Sequence, residues 1–129
     1  MSTKSKMHER IYFVHHLGKK ILLIDFSNCP ASEVEDVARR VPDYVTAEPR
    51  GSVLVLTNFT GALFDRDAIR AVKETAVFDK PYVKKSALLG VDDLPVSFYE
   101  ELQSFSRREL LSFKNREEAL AWLISSTDG

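Results

Sequence analysis

The stretch VLVLTNFTGALFDRDAIRAV, from Val53 to Val72, changes its hydrophobic period halfway along. Val53 to Leu56 is an unbroken run of valine and leucine, the pattern of a strand covered on both faces. Further on, Ala68, Ile69, Val72 and Ala76 recur three or four residues apart and fall on one face of a helix. Between the two lie Thr57, Asn58, Thr60 and Gly61, followed by Asp65 and Asp67, either of which can accept the first free N–H groups of the helix. A strand therefore delivers a polar loop to a helix start.

The same unit repeats upstream and downstream. Ile21 to Phe26 is nearly continuous apolar sequence broken by Asp25, and from Ser32 the spacing lengthens, with Val34, Val37, Ala38, Val41 and Val45 on one face. Ser32 and Glu35 are spaced as a capping box, and Pro42, which lacks an N–H, is expected to end or kink this helix after Arg40 or Val41. Before it, RIYFVHH and KKILLIDFS flank Leu17-Gly18 and read as a β-hairpin. Downstream, Tyr82 to Leu89 reads as a strand less buried than its predecessor because Lys84, Lys85 and Ser86 interrupt it. Asp93 is the expected cap of a helix marked by Val96, Tyr99, Leu102 and Phe105, with Pro95 early enough to lose no bond. ELLSF is a short strand, and Asn115 with Glu118 forms a second capping box before Ala119, Leu120, Trp122, Leu123 and Ile124.

The order is ββαβαβαβα. Strand-helix-strand spacing implies right-handed parallel crossovers. The expected fold is thus α/β, a five-stranded mixed, mostly parallel sheet with an N-terminal β-hairpin and helices on both faces. A chain of 129 residues and 14.6 kDa suits one domain, and area scaling lets it bury about two thirds of its extended surface. Residues 10–126 form that domain, between a polar tail over residues 1–9 and a flexible end over 127–129.

Composition excludes several classes. A formal charge of −1 supplies no long-range pull toward nucleic acid, and five Lys/Arg against Glu9 alone in the first twenty residues fit a tail and a charged turn. With Cys29 as the lone cysteine there is no intrachain disulfide, and no apolar run is long enough for a signal peptide or an integral membrane span. These features point to a cytoplasmic protein with no nucleic-acid partner.

Candidate sites follow, each with a plainer alternative. Thr57, Asn58, Thr60, Gly61 and Asp65 make a loop that can hold an anion or accept a phosphate on Thr57 or Thr60, although no Walker lysine or repeated glycine accompanies it. The same residues also serve as ordinary turn and cap. Cys29, in SNCPAS before a helix, is a candidate reactive thiol, or else a small buried side chain. Asp25 is either an acid of raised pKa or an acceptor for backbone N–H groups. His8, His15 and His16 do not make a metal site, because neighbouring strand residues point to opposite faces. No cofactor is implied. Lys80, Lys84, Lys85, Arg107, Arg108 and Lys114 form a candidate basic edge for a phosphorylated or acidic partner, or lysines that keep an edge strand from aggregating. Phe98, Tyr99 and Phe105 exceed one stripe and can supply a homodimer contact or a ligand pocket as well as core.

The opening RIYFVHH…ILLIDFS, VKKSALLGV and SRRELLSFKNREEALAWL together resemble the SpoIIAA-like family, related in fold to STAS domains and also labelled STAS/SEC14-like. The likeness spans about Arg10 to Leu123 and combines Ala87 to Gly90, Phe113 to Glu118, and Ala121 to Leu123. It implies a compact bacterial α/β domain with one antiparallel strand at the hairpin and four helices. STAS relatives act as anti-anti-sigma factors switched by phosphorylation of a serine at a strand-to-helix junction. The matching junction is Asn58 to Gly61, which reads Asn-Phe-Thr-Gly where those relatives carry aspartate and paired serines, so only Thr60 stands near the acceptor place. The leading expectation is a non-enzymatic regulatory or protein-interaction domain. The alternatives are a carrier of a small apolar or anionic ligand, which needs a cavity between helices and sheet, and an enzyme built on Cys29 or Asp25.

Overall fold

The computed structural model describes residues 10–125. The expected tail and the last residues of the chain, with His8, lie outside the described residues. Five strands, β1 (Ile11–His16), β2 (Lys19–Asp25), β3 (Val53–Asn58), β4 (Val83–Leu89) and β5 (Leu110–Phe113), form one sheet in sequential order. Helices α1 (Ala31–Val45), α2 (Arg66–Asp79) and α3 (Phe98–Ser106) connect the last four, and α4 (Arg116–Ile124) follows β5. β1 runs antiparallel to β2 through the Leu17-Gly18 turn, and every other pair is parallel, with Asp25, Asn58, Leu89 and Phe113 in register at the carboxyl ends. This is the mixed sheet read from the sequence.

Strand alternation divides the core. Leu22, Ile24, Val53, Val55, Leu88 and Leu110 face one way and meet α1, α2 and α3, whereas Ile21, Leu23, Leu54, Leu56 and Ala87 face α4 alone. Sequential crossovers of one hand put their helices on the same side of a sheet, so only a helix outside the crossovers reaches the other. Three helices cover one face and one covers the other.

Several local expectations change. Helix α1 starts at Ala31 with Pro30 at the cap position and no side-chain cap, so Ser32 lies inside the first turn. Pro42 stays within α1. An interior proline costs about 3 kcal/mol, and burying Val45 beside half-buried Tyr44 returns a comparable amount; Thr46 N–H and Oγ1 also donate to the Pro42 carbonyl at 3.0 and 2.8 Å. Asp93 does not cap α3, which begins at Phe98 after Ser97 in the left-handed region. The buried stripe of α3 is Phe98, Leu102 and Ser106, while Val96, at 95% exposure, and Phe105 face outward. β4 is less buried than β3 at its start, where Val83 is half-buried and Lys84 exposed, but Lys85 and Ser86 lie buried.

Candidate functional site

The carboxyl ends of β2, β3 and β4 lead into loops that are stitched together by backbone hydrogen bonds. Phe26 N–H donates to the Asn58 carbonyl at 2.8 Å, Asn28 N–H to the Thr60 carbonyl at 2.9 Å, and Phe59 N–H to the Leu89 carbonyl at 2.8 Å. Leu63 N–H closes back on the Cys29 carbonyl at 2.9 Å. Below them runs an aromatic series: Phe26 stacks on Phe59 at 5.2 Å, Phe59 meets Phe64 at 6.0 Å, and Phe64 meets Phe98 at 5.3 Å. Polar strand exits thus rest on a hydrophobic floor, which fixes the loops as one rim.

Thr60 stands exposed at the centre of that rim. Its N–H and its hydroxyl both donate to Asn58 Oδ1, at 3.0 and 2.7 Å, and the next N–H, that of Gly61, donates to Asp93 Oδ2 at 2.8 Å. Asp93 was legible as a helix cap, yet it bridges the loops after β3 and β4. Gly90 has φ +75°, and a Cβ there would lie 2.4 Å from Thr60 N, so only glycine permits this approach. Asn58, Thr60, Asp92, Asp93, Lys114 and Arg116 line an open groove of about 720 Å³ beside it. Asp65 is the N-cap of α2, accepting from Ala68 N–H at 2.8 Å. Thr57 departs from its expected place: it is buried in β3 on the three-helix face and belongs to the interior.

At the β2 exit the thiol is buried and the acid is engaged. Cys29 is 0% exposed, and burial pushes its thiol up to about 11 against the pull of Arg10, so it holds its proton at neutral pH. Asp25 accepts from Ser27 N–H at 2.9 Å, with Arg10 Nη1 at 3.8 Å from its other oxygen. Among the described residues no three His, Cys, Asp or Glu side chains gather as a metal site.

The basic residues gather at the opposite end of the sheet, about 20 Å away along the seven residues of β4. Lys80, Lys84, Lys85, Arg107 and Arg108 line an open groove of about 590 Å³, with Glu109 the one acid among its lining residues. Lys114 is not among them; it lines the rim groove. Lys85 is committed to structure, its Nζ donating to the Trp122 carbonyl and the Ser125 carbonyl at 3.0 Å each and to Ser125 Oγ at 2.9 Å, which ties down the end of α4. Arg108, half-buried, donates to the Ala76 carbonyl at 3.1 Å and to Ser86 Oγ at 3.2 Å. Asp79, the last residue of α2, escaped sequence reasoning because an aspartate before Lys-Pro reads as a solvated helix end. It is 5% exposed, its Oδ1 has no hydrogen-bond partner among the described residues, and burial pushes its carboxyl up to about 7 despite the opposing pull of Arg108.

Comparison with family models, curated proteins and solved structures finds no match to this chain. No helix among the described residues is long and apolar enough to cross a membrane.

Proposed function

We propose that the chain is a non-enzymatic regulatory or protein-interaction domain of the SpoIIAA-like, STAS-related kind, acting in a bacterial cytoplasm and presenting its rim to a protein partner. One observation carries this reading: the Thr60 hydroxyl is exposed on backbone that Asn58, Asn28 and Gly90 hold from three sides. A fixed, exposed hydroxyl between interlocked loops suits recognition by surface complementarity and modification by a kinase. Leu63 and Val96, exposed on the loops after β3 and β4, add apolar contact area, and Phe105, exposed on α3, offers a contact for a second copy.

Phosphate on Thr60 would bring about two negative charges beside Asp92 and Asp93. Repulsion would strain the Asp93 bridge to Gly61 and remake the rim, turning off a partner that fits the unmodified shape. The test is capture of partners from the native cytoplasm with wild type, Thr60→Ala and Thr60→Glu, with mass analysis of Thr60 in the isolated protein. The expected result is a partner retained by Thr60→Ala and weakened at least about tenfold by Thr60→Glu. A partner indifferent to both variants, with Thr60 unmodified, overturns the switch.

A further inference from the structure

Five cations, Lys80, Lys84, Lys85, Arg107 and Arg108, share the wall of the groove at the amino end of the sheet with one acid, Glu109. The groove thus carries +4 in a chain whose formal charge is −1, and the remainder of the chain carries −5. Arg10, Lys20, Arg39 and Lys73 each have a carboxylate within 4.0 Å, whereas none of these five does among the described residues. Like charges gathered in one concavity repel one another, and their summed field draws in a counter-anion.

Two of the five form the inner part of the wall. Lys85, 8% exposed, spends its three donors on the Trp122 carbonyl, the Ser125 carbonyl and Ser125 Oγ, all neutral acceptors, so it acts on the groove through its charge alone. Arg108, half-buried, gives two N–H groups to the Ala76 carbonyl and Ser86 Oγ and keeps three. Lys80, Lys84 and Arg107 are exposed. Arg107 ends α3 at φ +56°, in the left-handed region that glycine usually takes at a helix end. Among the described residues its guanidinium makes no ion pair to offset that strain.

We propose that this groove is a binding site for a small phosphorylated molecule carrying two phosphate groups, held by Lys80, Lys84, Arg107 and Arg108. Two phosphate groups bring about three to four negative charges at neutral pH, which matches the +4 of the wall. Neighbouring arginines offer forked donors that hold phosphate oxygens in pairs, and the lysines add point charges. The volume of about 590 Å³ falls within the range of about 300–1,000 Å³ of small-ligand sites, and Val83 and Trp122 supply apolar wall for an organic remainder. Because the positive charge is confined to one concavity on a chain otherwise at −5, a compact anion fits it better than nucleic acid or an anionic membrane, which would extend over the negative remainder. This site lies at the opposite end of β4 from Thr60, and the reading of the rim stands or falls without it.

Trp122 is the one tryptophan of the chain and lines the groove, so its fluorescence reports on the site. The experiment is titration of the full chain with inorganic pyrophosphate, orthophosphate and hexaglutamate, followed by Trp122 emission and by calorimetry. Pyrophosphate is expected to saturate, and to bind at least about tenfold tighter than either orthophosphate or the acidic peptide. Arg107→Gly removes the guanidinium and relieves the backbone, so it should keep the unfolding midpoint of the wild type and lose at least about tenfold in affinity. Glu109→Gln removes the one acid of the wall and should bind tighter than wild type, while Arg40→Gln, which removes an exposed cation of α1 outside the groove, should bind as wild type does. No saturable binding of pyrophosphate by calorimetry, hexaglutamate binding as tightly, or full affinity in Arg107→Gly would each overturn the assignment.

Discussion

The two ends of the sheet solve the problem of polar groups in opposite ways. At the carboxyl end, Asn58, Thr60, Gly61 and Asp93 meet one another's hydrogen-bonding needs at the surface, where water supplies what the chain does not. At the amino end, Asp79 and Lys85 are drawn under the surface, and only Lys85 finds a full set of acceptors. A surface network fixes shape at little cost, whereas a buried charge stores free energy that a ligand or a proton can release.

The sharpest way to break the rim is Gly90→Ala. It forces a left-handed alanine into Thr60 backbone, and a loss of about 3 kcal/mol is expected in urea unfolding. Gly51→Ala is the control: φ is +71° there as well, but nothing lies within 4 Å of the added carbon, so about 1 kcal/mol is expected.

The amino end responds to pH instead. Asp79 has a folded pKa of about 7 against an ordinary 3.8, so the native state holds more protons than the unfolded state in between. Stability therefore falls as pH rises from about 4 to about 7, and the full penalty is present above that window. Asp79→Asn removes the slope. Discounted for local relaxation around a buried carboxyl, the variant should gain about 2 kcal/mol at pH 8 and almost nothing at pH 4, read from urea midpoints at the two pH values. A slope unchanged in the variant would place the titration elsewhere.

The smallest effect expected is at α4, where Asn115→Ala removes an acceptor for Glu118 N–H, now at 2.9 Å. A loss of about 1 kcal/mol should appear in unfolding, with Thr60 undisturbed in its nuclear magnetic resonance signals.

The same contrast decides what could be read from residues alone. Strand and helix periods gave the fold, because Ile21 to Phe26 and Val53 to Leu56 are buried on both faces whatever covers them. Asp65 and Asn115 were legible as caps because capping is local chemistry. Asp93 was legible as a cap and is none, since its partner Gly61 is 32 residues away and no local rule anticipates it. Pro42 does not end α1 for a related reason: its cost is local and the burial of Val45 that offsets it is tertiary. At the amino end the basic cluster was visible in sequence, but the division of labour within it was not. Lys85 serves α4 and Arg108 joins β4 to α2 because of which face of β4 and which side of β5 each one meets. Gly90 carried a signal, a glycine closing an apolar strand, that marks backbone approach without saying to what.

Lys85 also sets the fate of the thinner side of the molecule. One nine-residue helix shields Ile21, Leu23, Leu54, Leu56 and Ala87, and its far end is fastened by a single ammonium group from the strand beneath. Loss of that latch would fray the last turn of α4 first, because burial of Ala119, Leu120 and Leu123 and the packing of Trp122 on Phe113 hold the rest of the helix on the sheet. The cover of the thinner side is thus held in its body by burial and at its end by one lysine amine.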